Sequence, residues 1–154
     1  MPGIADLLAK ETSLVSTFIG ALGEEQVALT HGNIEVLAQI SSRKTDLAAQ
    51  LNDLETERNA ALAKAGFAAG RQGTEAWLAS QGIGAAAALQ WAQLLKLAGD
   101  ARELNILNGK LIALRLQATN QALAILSQEA QKTGLYGPDG QAAQLTGSRI
   151  IDAA

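Results

Sequence analysis

IEVLAQISSRKTDLAAQLNDLETERNAALAKA, residues 34–65, decides the fold. Within it Leu37, Ile40, Lys44, Leu47, Leu51, Leu54, Arg58 and Ala61 recur in alternating steps of three and four. That spacing stacks side chains on one face of an α-helix and suits no β-strand. The stretch holds no proline and no glycine, so a helix from about Ile34 to Ala65 follows. Two seam positions are cationic, Lys44 and Arg58. A charge in a seam either costs stability while fixing register, or reaches solvent along its aliphatic stem. Asp46, Asn52, Asp53, Glu55, Glu57 and Asn59 fall on the outer face, which reads as solvated.

Upstream, His31-Gly32-Asn33 marks a break or a kink. Gly32 can adopt the left-handed conformation that ends a helix, and Asn33 can cap the next one. The segment before it, from about Ile4 to Thr30, carries Ile4, Leu8, Glu11, Val15, Phe18, Leu22 and Leu29 near helical spacing. Downstream, GFAAGRQG (66–73) is a glycine-rich connection. Thr74 is placed to cap a short helix, Glu75 to Gln81, that presents Trp77 and Leu78. After Gly82-Ile83-Gly84 a long helix runs from about Ala85 to Thr133. Unbroken, it would span roughly 70 Å. Gly99-Asp100 could kink it or divide it, with Asp100 as the cap of a separate last helix.

The final helical stretch is apolar along two lines. Leu104, Leu107, Leu111, Leu114, Ala118 and Ile125 form one row; Ile112, Leu116, Thr119, Leu123 and Leu126 form a second, about 100° around the helix. A core-facing helix needs a stripe about that wide, so the second row is either core or spare surface for a partner helix. Gly134 and Pro138 stop the helix, and the Gly-, Gln- and Ala-rich tail from Leu135 to Ala154 is expected to be flexible.

Composition narrows the function classes. Hydrophobic residues make up 48% of the 154-residue chain but aromatics only 3%, so the core must be aliphatic. With no cysteine, disulfides and thiolate metal sites are excluded. The net charge of −3 and the scattered lysines and arginines argue against nucleic acid as a partner. Gln90, Gln93 and Lys96 interrupt the most apolar stretch, which falls short of the roughly 20 residues that a membrane span requires. The N-terminus MPGIADLLAKE carries Asp6 and Glu11 where a signal peptide needs an apolar run, so a cytoplasmic protein is expected.

No residue set recommends catalysis, a cofactor or a metal. Gly82-Ile83-Gly84-Ala85-Ala86-Ala87 has the glycine spacing of a dinucleotide loop but lacks the preceding strand. His31 is the sole histidine and has no Glu-x-x-His partner, so a solvent-facing place at a helix end is expected. Trp77 and Trp91 either pin the short helix to the long ones or contact a partner; the scarcity of other large core side chains favours the first. Leu135-Tyr136-Gly137-Pro138-Asp139-Gly140-Gln141 contains a Pro-Asp-Gly turn beside the sole tyrosine. It is either a helix stop with Leu135 and Tyr136 tucked against the bundle, or an exposed docking element.

Two C-terminal segments carry a family resemblance. Asn105-Ile106-Leu107-Asn108-Gly109-Lys110-Leu111-Ile112 resembles the Asn-x-x-Asn-Gly-x-Leu-Ile segment of the FlgN family of flagellar export chaperones. Leu135-Tyr136-Gly137-Pro138-Asp139-Gly140-Gln141 is similar to that family's Leu-Tyr-Gly-x-Asp-Gly-Gln motif. Lys44, Leu47, Leu51, Leu54 and Arg58 resemble its heptad, whereas Gly66 to Gly84 gives no support. The resemblance implies a cytoplasmic chaperone that binds C-terminal helical segments of the hook-associated junction proteins. It would keep them from aggregating and deliver them to the cytoplasmic domain of the export-gate membrane protein. It also makes Tyr136, with Leu135, the candidate for export-gate docking. Periodicity alone nominates Ile112, Leu116, Leu123 and Leu126 for client binding.

The expected fold is therefore all-α: an elongated antiparallel bundle or coiled coil of long helices, with one short extra helix and a flexible tail. Residues 1–134 would form the chaperone domain and 135–154 the tail. A monomer or weak self-associate is expected, without membrane insertion. The rival readings are a structural self-associating coiled coil and a helical bundle with a small-ligand pocket.

Overall fold

A computed structural model describes residues 2–80, 82 and 84–132. It contains four helices, α1 (Ile4–His31), α2 (Ile34–Lys64), α3 (Gly70–Ala79) and α4 (Ala85–Lys132), and no strand among the described residues. The chain is all-α. It divides into two compact units that part between Asn108 and Gly109.

α1 begins at Gly3, whose N–H donates to the Asp6 carboxylate at 3.2 Å. It ends at Gly32, with φ 72° and ψ 27°, a conformation that glycine adopts without a Cβ penalty. The Asn33 N–H reaches back to the Ala28 carbonyl at 3.0 Å. Asn33 Oδ1 then accepts the Val36 N–H at 3.4 Å and starts α2. The break read at His31-Gly32-Asn33 is thus a complete helix-to-helix turn in which one residue closes α1 and the next opens α2.

The direction of packing follows from charge pairs. Glu11 meets Arg58, Glu25 meets Lys44 and Glu24 meets Arg43. As numbers rise along α1 they fall along α2, so the two helices are antiparallel. Every position of the α2 seam is at least half-buried, and Ile40, Leu47 and Arg58 are fully buried. One core cluster unites Ile4, Leu8, Val15, Leu22 and Leu62 with Trp91, Leu94 and Ala101 of α4. A second joins Ala21 and Ala28 to Ile40 and Leu47. Truncating a fully enclosed member such as Leu8 or Leu22 to Ala should cost about 2–5 kcal/mol.

One expectation about the middle of the chain needs correction. α3 starts at Gly70, not Glu75, and ends at Ala79. Thr74 is therefore not its cap but an interior, fully buried residue. Its hydroxyl donates to the Gly70 carbonyl at 2.9 Å and accepts from Arg58 Nη1 at 3.0 Å. The early start is fixed by Asn59, which accepts the Gly70 N–H at 2.9 Å and so is half-buried rather than part of the solvated face. Gly73 lies against the Ala68 carbonyl so closely that an added Cβ would come within 1.5 Å of its oxygen. The glycines of 70–73 thus belong to a helix packed on a loop. At Gly99-Asp100, where the sequence leaves a kink or a division open, α4 continues without a break. A helical glycine costs about 1 kcal/mol relative to alanine. Burial of Ala101, with Leu97 and Leu104 half-buried beside it, outweighs that penalty.

Candidate functional site

Both cations of the α2 seam are paired. Arg58 Nε lies 2.9 Å from Glu11 Oε1, with both side chains 7% exposed. The same guanidinium stacks over the Trp91 ring at 5.2 Å and donates to Thr74. Burial pushes the Glu11 carboxyl above the ordinary glutamate value; Arg58 opposes this and nearby Glu55 adds to it. Lys44 Nζ contacts Glu25 Oε1 at 3.1 Å and donates to Asn105 Oδ1 at 3.0 Å. Removing either partner of a buried pair leaves an uncompensated charge, so these contacts disfavour misaligned packing more than they add net stability.

Asn105 and Asn108 explain why the Asn-x-x-Asn segment sits where it does. Asn108 is 1% exposed, and its Nδ2 donates to the Leu22 carbonyl at 2.8 Å and to Glu25 Oε1 at 3.0 Å. Together with Asn105 it ties α4 to the Glu25–Lys44 pair. Glu25 was not singled out by sequence reasoning. The signal was present: Glu11 and Glu25 are spaced like Lys44 and Arg58, two heptads apart and opposite in sign.

Trp91 is buried in the core beside Arg58, and Trp77 packs half-buried against the same cluster. Both serve the bundle itself. His31 is exposed, its Nδ1 held 2.8 Å from the Val27 carbonyl oxygen. Among the described residues no group of His, Asp or Glu could hold a metal ion, and no helix is long and apolar enough to cross a membrane. A cleft of about 520 Å³ between the start of α1 and the end of α2 is lined by Ile4, Leu7 and Ala61, with Glu57 and Lys64 as its charged members. It lacks the convergent polar groups of a small-ligand site.

The remaining candidate is the C-terminal part of α4. Ile112 is 48% exposed, Leu116 38% and Leu126 65%, while Leu123 is half-buried. Leu114 and Ile125, of the other row, are also exposed. Counted in steps of three and four residues, the row Ile112, Leu116, Thr119, Leu123, Leu126 follows on from the buried positions Leu94, Ala101 and Asn108. The same periodic stripe is therefore covered in its first half and largely open in its second. Leu135 and Tyr136 lie outside the described residues.

The family model described as FlgN protein matches residues 1–144. The chain belongs to the FlgN family. The flagella synthesis protein FlgN of Yersinia enterocolitica is 29% identical to it over 147 residues, 93% of this chain and 92% of the relative. The protein of the same description from Yersinia enterocolitica serotype O:8 / biotype 1B matches with the same identity and coverage. No solved structure matches the chain.

Proposed function

We propose that this FlgN-family chain is a cytoplasmic flagellar export chaperone. It binds the C-terminal helical segments of the hook–filament junction proteins, prevents their aggregation and delivers them to the type III export gate. The observation that carries this reading is the open aliphatic row of α4. Ile112, Leu116 and Leu126 would be expensive to leave in water, at about 1.5–3 kcal/mol for each large side chain fully buried. An amphipathic client helix laid along Leu116, Leu123 and Leu126 covers them, and no chemistry is required.

In this reading residues 1–134 are the chaperone domain, and 135–154 carry the gate-docking element at Leu135 and Tyr136. A client that orders on binding gives up conformational entropy, which keeps affinity moderate and permits release at the gate. The test is co-purification from a flagellated host, followed by binding of purified junction-protein C-terminal segments. Capture of a junction protein with saturable binding supports the reading. Absence of binding by every junction segment overturns it.

A further inference from the structure

We propose that the groove between α2 and α4, floored by α1, docks a short helix of another protein whose apolar face carries one lysine or arginine. The site lies wholly within residues 1–108, apart from the client row of Ile112 to Leu126, and its role is independent of the chaperone reading.

Two bridges bound the groove. Arg58 of α2 stacks over the Trp91 ring of α4 at 5.2 Å, and Lys44 of α2 donates to Asn105 of α4 at 3.0 Å. Their members are fourteen residues apart on each helix, so the bridges stand about 21 Å apart, at about 1.5 Å per residue. Between them no hydrogen bond or ion pair joins α2 to α4 among the described residues. A cavity of about 490 Å³ opens there. Val15 and Leu94 are buried in it, and Phe18, Leu51 and Leu95 are half-buried along it. Ala48 of α2 and Ala98 of α4, both exposed, line it from the two walls. Such small residues let a helix backbone approach closely, and a half-covered aliphatic channel about four turns long suits the apolar face of an amphipathic helix.

Charge selects the occupant. Glu11, Glu55 and Arg58 line the same groove. Arg58 is committed to Glu11 at 2.9 Å, which leaves the exposed Glu55 without a cationic partner among the described residues. Glu55 also acts on Glu11, whose carboxyl is raised mainly by burial and further by this like charge, against the pull of Arg58. The groove thus sets two carboxylates against one guanidinium among aliphatic side chains. A docked helix with a lysine or arginine on its apolar face pairs with Glu55. A neutral helix would cover that carboxylate uncompensated, and an acidic one would add a like charge.

The experiment uses the full chain with Trp77→Phe, which leaves Trp91 in the groove as the sole tryptophan. The probes are stapled alanine- and leucine-rich helices of about 14 residues, the length that spans the groove at about 1.5 Å per residue. One lysine is placed in turn at each position of the apolar face, and matched helices carry glutamate there. At least one lysine helix should change Trp91 fluorescence with saturable binding, and its glutamate counterpart should bind at least about tenfold more weakly. Glu55→Gln should remove most of this preference and Glu55→Lys should reverse it, with helicity retained by circular dichroism because Glu55 is exposed. No binding by any lysine helix overturns the inference, as does a preference that Glu55→Lys leaves unchanged. A Trp91 signal that grows with the protein's own concentration would assign the groove to a second copy. Quenching of Trp91 by a nitroxide at Ser148→Cys, independent of concentration, would assign it to the chain's own C-terminal segment. Either result refutes the proposed partner. Leu126→Asp, in the client row, should leave helix binding unchanged. Failure of junction segments to bind, with lysine helices still bound, would refute the proposed function alone; the converse would refute this inference alone.

Discussion

Asn108 donates from one amide nitrogen to both the Leu22 carbonyl and the Glu25 carboxylate, at 2.8 and 3.0 Å. The side chain that distinguishes the C-terminal segment thereby completes an ion pair set between the first two helices. Asn108→Ala should lower stability by about 1–3 kcal/mol, because it removes two buried hydrogen bonds, to the Leu22 carbonyl and to the Glu25 carboxylate. A urea midpoint equal to the wild type would contradict this role.

Arg58 anchors three groups at once: Glu11, Thr74 and the Trp91 ring. Arg58→Met should cost about 3–5 kcal/mol, since Glu11 then keeps a buried charge without its partner. Adding Glu11→Leu should recover much of the loss, because the pair contributes more to alignment than to net stability. Chemical denaturation of the three variants in a double-mutant cycle measures this. A double variant no more stable than Arg58→Met would argue against the pairing.

Glu11 also makes stability depend on pH in the opposite sense to a salt-bridged surface acid. Its carboxyl is raised by burial above its ordinary value of 4.5, so on acidification the folded state takes up this proton before the unfolded state does. Between the folded value and 4.5, falling pH therefore adds stability at this site, and rising pH removes it. Against Glu11→Gln, which cannot titrate, the wild type should gain as pH drops from about 7 to about 4. Urea midpoints of both proteins at the two pH values decide the point; a constant difference would refute it.

Leu123→Asp should weaken binding of a junction-protein segment by at least about tenfold, equivalent to about 1.4 kcal/mol, with helicity retained. Unfolding by circular dichroism would instead make Leu123 part of the protein's own core. Leu126→Asp, at a more exposed position, separates the two outcomes.

Tyr136→Ala should leave client binding intact and reduce binding to the export-gate cytoplasmic domain. Titration of the purified gate domain with both proteins checks this. Equal affinities would remove Tyr136 from the docking role.

The long helices were legible because period and turn chemistry agree. The α2 heptad, the Gly32 stop and the Asn33 cap each have a local cause, and each stands as read. α3 was misplaced because its start depends on Asn59 and Arg58, eleven and sixteen residues from Gly70 and Thr74. Local propensity assigned those glycines to a loop. At Gly99-Asp100 the same local grounds left a kink or a division of α4 open, and burial around Ala101 favours the continuous helix. Within the candidate site, the aliphatic row was visible in the sequence but its exposure was not, because periodicity does not distinguish a covered stripe from an open one.

The equal spacing of Glu11 and Glu25 against Arg58 and Lys44 bears on insertions. Sliding α2 by one heptad would keep its greasy ridge aligned with α1, yet both cations would then face uncharged neighbours. Only one phase of the hairpin satisfies both contacts, so a seven-residue insertion between Lys44 and Arg58 should be poorly tolerated even though it preserves the hydrophobic repeat.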